Sequence, residues 1–490
     1  MLKKVKLLIN QLIERDLYFF SLLFGVLIVL FRNSFFIGFF SDDYTFLKLS
    51  YIENINDLIN FFIPGKAYFY RPLSTEVFYG FIQIFPNAQV VGHLIVMSTY
   101  ATALIGLYKV SIILAKNKTF SKFFIFMYAI HFSHVFQLYW LATFQEVIMF
   151  CFLVYSTLFF LKQKYIVSIF LFFLALLSKE TAIVYPVFLL ALLQVKQKFK
   201  KTMGWIFVFI SLSLATYFAF YLSGIENVEQ IDIYRINLSP KLIVNNSVWY
   251  VLWALGFPSF LPDYASSFFS LPLPGFWERL SDLTSWIYIS SLVGYLSILL
   301  FSIFNFLYLK PKRITSFIPS IFFLIFGTLL FLSPTLPIIH RWMVRLTIPL
   351  IFITFSQAYL IYFLISKSRI SKIIAMVGII FYIIYNVVGI SVHEIASVYS
   401  LESEYYHRAQ IYFNNLNNLL PKTYTSIYFK DSTEEKNAWG ESKKLKTSFA
   451  QNAFLYHFMP NRNFIIYYEV DKITVPKDSF IIPANDILKQ

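Results

Sequence analysis

The chain has 490 residues, of which 58% are hydrophobic and 14% are charged, and its formal net charge is +15. A soluble globular domain contains about a quarter charged residues, so this composition is typical of a membrane protein surrounded by a lipid bilayer. The basic residues are dispersed between apolar runs rather than gathered in one segment, which argues against nucleic acid as a partner.

Apolar runs of about 20 residues, the length needed to cross a bilayer, recur along the chain. The first run is too long for a signal-peptide core and no small-residue cleavage site follows it, so we expect a retained helix. The distribution of Lys and Arg between the runs then predicts eleven transmembrane helices. Their predicted ranges are 17–40, 89–115, 120–139, 145–161, 165–177, 181–195, 203–222, 286–309, 315–333, 345–365 and 372–391.

Alternate loops are rich in Lys and Arg and contain no acidic residue, as residues 116–119 and 196–202 illustrate. Cytoplasmic loops have this character, so we expect a cytoplasmic N-terminus and an extracytoplasmic C-terminus. Asp and Glu collect in the other loops and in the tail, on the predicted outer side. Topology follows here from charge alone.

The predicted outer loops also contain apolar patterns. Residues 51–63 alternate apolar and polar side chains at helical spacing, which predicts an amphipathic surface helix, and the loop 223–285 has similar character. Residues 246–262 are apolar but broken by Pro258 and Pro262, and are either an interfacial or re-entrant segment or a further span.

The composition turns polar near residue 392. We predict a helix at 398–420 and strands at 424–429, 464–468 and 480–482. The sequence thus indicates an all-α polytopic membrane domain at 1–391 and a small extracytoplasmic α/β domain at 392–490.

Two adjacent carboxylates, Asp42 and Asp43, stand where the first predicted helix leaves the membrane on the outer side. They could serve as a base or a metal site, or simply as an exposed helix cap. Further along the same loop, Arg71 lies in the segment Tyr70-Arg71-Pro72-Leu73. Its guanidinium could bind a phosphate through two parallel hydrogen bonds, or pair with a carboxylate such as Glu76 or Asp43.

The fifth and sixth predicted spans are short and meet at Ser178-Lys179-Glu180. Charged groups at membrane depth are costly unless they pair or line a wet cavity, so Lys179 and Glu180 are either a functional pair or a structural ion pair. Glu146, at another outer helix end, either adds a carboxylate to the same cavity or complements the helix dipole.

A third cluster, His340-Arg341-Trp342-Met343-Val344-Arg345, joins the ninth and tenth predicted spans on the outer side. Arg341 and Arg345 are four residues apart and would share one helical face, an arrangement that suits a phosphate or diphosphate, although anchoring at lipid headgroups is the alternative. His131 and His134 fall within the third span and are expected to be core or cavity-lining residues. All of these clusters fall on one side of the membrane, and carboxylates with several cations at the lipid boundary suit a substrate with a phosphate head and an apolar tail.

At these residues the chain resembles the polytopic GT-C-type glycosyltransferases, which include protein O-mannosyltransferases and bacterial enzymes that add sugars to lipid A. Asp42-Asp43 stands where that family has an acidic pair in the first outer loop. The Tyr70-Arg71-Pro72-Leu73 and Leu177-Ser178-Lys179-Glu180-Thr181 segments are similar to segments of the O-mannosyltransferases, while the tail differs from the tetratricopeptide arrays of the eukaryotic enzymes.

The resemblance implies an inverting sugar transfer from a polyprenyl-phosphate donor to a lipid, glycan or protein acceptor. It implies that Asp42 is the general base, that Asp43 orients it or helps hold a cation, and that Arg71, Lys179, Arg341 or Arg345 stabilises the departing phosphate. Some members use a divalent metal ion, so a metal at Asp42 and Asp43 stays open, with no cofactor certain. The competing interpretations are a transporter or flippase of lipid-linked sugars and a non-catalytic assembly protein of the cell envelope.

Overall fold

The computed structural model describes residues 15–488 except 53, 65–68, 197–198, 217–234, 266, 268–269, 310–322, 397, 420–423, 432–439, 460–463 and 477. The described chain is mostly helical, with three short strands near its end. We number the helices α1 (Asp16–Leu30), α2 (Asp42–Leu49), α3 (Ile55–Asn60), α4 (Phe78–Ile82), α5 (Ala88–Ala115), α6 (Lys118–Ala129), α7 (Val135–Tyr139), α8 (Phe144–Leu161), α9 (Tyr165–Leu176), α10 (Tyr185–Lys196), α11 (Phe199–Thr216), α12 (Pro240–Ala254), α13 (Leu261–Tyr264), α14 (Phe276–Leu283), α15 (Trp286–Leu309), α16 (Phe323–Leu332), α17 (Pro349–Ile365), α18 (Arg369–Ala396), α19 (Val398–Leu419), α20 (Glu441–Ser448), α21 (Phe454–Phe458) and α22 (Ala484–Leu488). The strands are β1 (Ser426–Lys430), β2 (Ile465–Tyr468) and β3 (Phe480–Pro483).

Apolar helices dominate the first four-fifths of the chain, which indicates a membrane protein. In the described part, four are long and apolar enough to cross a bilayer: Ala88–Ala115, Leu141–Leu161, Trp286–Tyr308 and Arg369–Ile395. The helix α5 packs along α8, α8 along α9, and α15 along α18. Shorter apolar helices complete the bundle, namely α1, α9, the segment Glu180–Leu193, Gly204–Thr216, α16 and α17.

Two predicted spans are not continuous helices. The first, 17–40, is helical only to Leu30, and a 3-10 turn and a non-helical stretch follow. The third, 120–139, breaks after Ala129 and resumes at Val135. At these breaks, backbone groups that lack a helical partner form hydrogen bonds with buried side chains. The two ring nitrogens of His93 lie 3.2 Å from the carbonyl oxygens of Ile37 and Leu138.

Other predicted elements are altered or lie outside the described residues. The surface helix expected at 51–63 is helical only over α3, which begins with a capping box formed by Asn54 and Asp57. The segment 246–262 is not a single span, because the chain turns at Gly256, whose φ of 111° is unfavourable for other residues. Residues 217–222 of the seventh predicted span and 315–322 of the ninth are not among the described residues.

The last part of the chain, residues 398–488, forms what we call the C-terminal unit. Its three strands lie at the predicted positions and form a parallel sheet in the order β2–β1–β3. Phe429 of β1, fully buried, faces Phe449 and Phe454 of the surrounding helices. The unit packs directly against α2, the helix that begins with the two predicted site carboxylates.

Candidate functional site

The helix α2 is held in place by the C-terminal unit. On its C-terminal-unit side, the Tyr44 ring packs against Phe449 and Phe458. The backbone N–H of Ser41, the residue before the helix, donates to the carbonyl of Ser448 at 2.6 Å. Ser41 has φ 50° and ψ −125°, a conformation that L residues rarely adopt. Such backbone strain is most frequent at functional sites, where the surroundings enforce it.

Asp43 is a fully buried residue of α2 and does not line an accessible surface. Its Oδ2 accepts from the Phe40 N–H at 3.0 Å, and its Oδ1 accepts from the Tyr79 hydroxyl. Burial raises the pKa of the Asp43 carboxyl to about 8, although these hydrogen bonds oppose the rise. In this structure Asp43 fixes the start of α2, beside Asp42, and its part in catalysis stays a prediction.

Asp42 lies one residue earlier and points elsewhere, because consecutive helical side chains are about 100° apart. Its side chain is exposed to solvent although protein atoms crowd around it, which is the situation of a group in a recess. The surrounding protein atoms desolvate the Asp42 carboxyl and raise its pKa, and the positive charge of Arg71 offsets part of the rise. A carboxyl with an elevated pKa and access to solvent is suited to accept a proton.

Arg71 is buried and forms a bidentate ion pair with Glu180, which lies 109 residues away in the sequence. Its Nε donates to Glu180 Oε2 at 2.7 Å and its Nη2 donates to Oε1 at 2.6 Å. Its Nη1 donates to Gln145 Oε1, and its guanidinium lies 4.1 Å from the centre of the Phe69 ring. Arg71 thus pairs with a carboxylate from a distant part of the chain. Three of its nitrogens donate to the protein, so Arg71 acts on Asp42 through its charge.

Lys179 forms a second buried ion pair beside the first. Its Nζ donates to Glu146 Oε1 at 2.6 Å, and the two side chains are only 8% and 5% exposed. Glu146 lies in the first turn of α8, as expected, and Lys179 lies in the break between α9 and the 3-10 turn Glu180–Val184. The two pairs join α8, the segment between α3 and α4 that contains Arg71, and the α9–α10 junction into one charged network.

The segment 340–345 does not form the helix that would align its two arginines. Trp342 is extended, with φ −148°, and a 3-10 turn begins only at Met343. The expectation that Arg341 and Arg345 share a helical face is wrong, because Arg341 precedes the turn. Arg345 Nη1 donates to the His340 carbonyl at 2.6 Å. Burial, together with these two arginines, lowers the pKa of His340 to about 4, so its imidazole is neutral at pH 7.

Stacked aromatic rings connect this segment to α2. The Phe40 ring stacks on Trp140 at 5.3 Å, and Trp140 packs on Trp342 at 4.9 Å. Trp342 in turn packs on His340 at 5.6 Å, and the Trp140 indole donates to the Phe40 carbonyl at 3.3 Å. The apolar residues before Asp42 are thereby fixed relative to the 340–345 segment.

An apolar cavity of about 300 Å³ lies within the helical bundle between α5, α8, α10, α16 and α17. Phe331 and Ile348 border both this cavity and a small recess that is lined by Glu146, Thr181, Thr335 and Arg345. The recess is thus where the apolar interior meets the charged network. Its polar groups come from four separate parts of the chain.

The two carboxyl groups of the predicted metal site differ in their surroundings. Both oxygens of Asp43 accept hydrogen bonds in a fully buried position, whereas Asp42 is exposed. Among the described residues, no group of three His, Cys, Asp or Glu side chains is found. His131 and His134 are fully buried core residues, and His134 Nε2 lies 2.9 Å from the Tyr128 carbonyl oxygen.

Sequence reasoning missed three residues that organise the site: Tyr79, Gln145 and Trp140. Gln145 is adjacent to Glu146 and Trp140 is near it, so a polar and aromatic cluster before an apolar run was the available signal. Tyr79 had none, because its role depends on a contact with Asp43 across 36 residues. No protein-family model matches the sequence, and no curated protein matches it significantly, so the site rests on its own geometry.

Proposed function

We propose that the chain is a membrane glycosyltransferase that moves a sugar from a polyprenyl-phosphate carrier to an extracytoplasmic acceptor with inversion. Asp42 is its general base. The apolar helices support a bilayer environment, and we assign to the chain the eleven-span topology with a cytoplasmic N-terminus, allowing for the two broken spans. In this topology the site and the C-terminal unit lie outside the cytoplasm.

The observation that supports this function best is the contact between the apolar cavity and the charged recess. A polyprenyl phosphate has an apolar chain and an anionic head; the apolar cavity suits the chain, and Arg345, which lines the recess of about 10 Å³ at the border of the cavity, supplies a cation for the head. A soluble sugar nucleotide would have no use for an apolar cavity inside a helical bundle. The charged network then continues from Glu146 through Lys179 and Arg71 toward Asp42.

The reaction follows from this arrangement. The acceptor hydroxyl attacks the anomeric carbon while Asp42 takes its proton. The bond between that carbon and the phosphate oxygen breaks on the opposite face, and the phosphate leaves with the electron pair. Arg345 stabilises the charge that develops on the leaving phosphate. Arg71, Glu180, Lys179 and Glu146 hold the surrounding charges in fixed positions, so little reorganisation is needed during the step.

The test is transfer of radiolabelled sugar from synthetic polyprenyl-phosphate donors by the purified protein, with release of polyprenyl phosphate as a second readout. We expect Asp42→Asn to reduce turnover at least about a hundredfold, in the range of a lost general base. Arg345→Ala should weaken turnover as well. The control is Asp478→Asn, which changes an exposed carboxylate of the C-terminal unit and should leave turnover unchanged.

Other outcomes would reject the proposal. Full turnover in a folded Asp42→Asn variant would remove Asp42 as the base. The absence of turnover with every donor, together with donor translocation in proteoliposomes, would identify a flippase of lipid-linked sugars instead.

A further inference from the structure

A second cavity lies away from the bundle, where the C-terminal unit meets the first outer loop. Its volume is about 590 Å³, and its walls come from the end of α2, the turn between α4 and α5, and residues of α19 and α21. We call it the outer cleft. The cavity of the bundle shares none of its lining residues with this cleft, so the two are separate.

The lining of the outer cleft is polar but uncharged. Four carboxamides border it, namely Gln83, Asn87, Gln89 and Gln410, together with the hydroxyls of Ser50, Tyr51 and Tyr456. Among the described residues that line it, none is Asp, Glu, Lys or Arg, and the nearest printed charge is the Lys48 ammonium, 4.4 Å from the centre of the Tyr456 ring. Each carboxamide both donates and accepts, as each hydroxyl does. Such a set matches a neutral ligand rich in hydroxyl groups better than an ion.

Aromatic rings also face this cleft. Tyr51 is 54% exposed, Tyr456 45% and Phe85 39%. The flat faces of such rings pack against the apolar C–H faces of sugar rings, while surrounding amides bind the hydroxyls. His457 also lines the cleft, and burial lowers its pKa to about 4, so it is uncharged at neutral pH.

The cleft is structurally connected to the carboxylate site. Gln83 Nε2 donates to Ser50 Oγ at 2.8 Å and to the Tyr79 carbonyl at 3.2 Å, and Tyr79 also holds Asp43. The cleft lies at the C-terminal end of α2 and Asp42 lies at its N-terminal end. Eight residues of helix span about 12 Å, which is the length of two to three linked sugars at about 5 Å each.

We propose that the outer cleft binds a neutral glycan segment of the acceptor, a few sugars away from the hydroxyl that reaches Asp42. The proposal rests on the transferase function and names its acceptor class as a saccharide. The C-terminal unit thereby contributes to acceptor binding through Gln410 and Tyr456.

Binding of free oligosaccharides tests this without any turnover. The full chain in detergent is titrated with short neutral oligomers of glucose, mannose, galactose and N-acetylglucosamine, and with an oligomer of galacturonic acid as the acidic counterpart. We expect saturable binding of at least one neutral series. Gln410→Ala and Tyr456→Ala, both at exposed positions, should each weaken it about 2- to 10-fold, as expected for one lost hydrogen bond or ring contact.

The matched control is Asn415→Ala, which alters an exposed residue of the same helix that does not line the cleft and should bind like the wild type. The proposal would be overturned if no oligosaccharide bound, if the two cleft variants bound as tightly as the wild type, or if the acidic oligomer bound more tightly than the neutral ones. Asp42→Asn should retain full binding. Binding of neutral oligosaccharides without sugar transfer would therefore reject the transferase function and support glycan binding in the outer cleft. Sugar transfer without such binding would support the transferase function and reject glycan binding in the cleft.

Discussion

The buried pair of Lys179 and Glu146 allows a quantitative test of how the site is held. Replacing Lys179 by Met leaves a carboxylate buried without its cation, and replacing Glu146 by Leu leaves an ammonium near the positive charge of Arg71. Removing one partner of a buried pair costs about 3–5 kcal/mol, because the remaining charge stays desolvated. Replacing both by apolar residues removes both desolvation costs, so the double variant should be nearly as stable as the wild type.

The assay is unfolding of purified protein in mixed micelles by increasing SDS, followed by far-UV circular dichroism, for the wild type, the two single variants and the double variant. Lys162→Met, at an exposed turn, is the control and should lie within about 0.5 kcal/mol of the wild type. Single variants within about 1 kcal/mol of the wild type would contradict the buried-pair argument, as would a double variant less stable than either. A stable double variant that no longer transfers sugar would assign the pair a role in donor binding.

Three further outcomes are expected. Burial raises the pKa of Asp43 to about 8, so the folded protein keeps this proton at pH values where the unfolded chain has lost it. The wild type should therefore lose stability relative to Asp43→Asn as the pH rises from about 4 to 8, and not above that range. Parallel curves of stability against pH for the two proteins would refute a protonated Asp43. Gly38→Ala would place a methyl group 2.3 Å from a Tyr406 ring atom and should loosen the C-terminal unit, measured as faster proteolytic release, whereas Gly25→Ala, with open space around it, should not. Ser41→Gly should relieve about 1–3 kcal/mol of backbone strain and raise thermal stability while lowering kcat, and an unchanged kcat would show that the strain has no part in positioning Asp42.

The sequence predicted helices and strands well where the pattern of apolar residues lies within one continuous segment. The strands of the C-terminal unit and the long helices α5 and α18 lie close to their predicted positions, because alternation and apolar run length are visible in consecutive residues. The break at 130–134 was missed because the run remains apolar there. The polar residues of the break, Ser133 and the two flanking histidines, were the available signal.

The site could be predicted only as a list of residues. Which carboxylate is accessible depends on the rotation of α2 against Tyr79, and the partner of Arg71 depends on a contact between loops 109 residues apart. Neither relation has a signature in the spacing of residues along the chain. The Arg341–Arg345 expectation failed for a related reason: a spacing of four residues has meaning only inside a helix, and Trp342 is extended.

The contact between Ser41 and Ser448 has a consequence for biosynthesis. The two residues are more than four hundred positions apart, so α2 leaves the ribosome long before the segment that supports it. During insertion of the bundle, Tyr44 of α2 lacks its contacts with the C-terminal unit. These contacts form only when the last part of the chain has been synthesised and, in the proposed topology, exported. A nascent or truncated chain can therefore occupy the membrane without an assembled site, and the proposed sugar transfer would begin only after translation is complete.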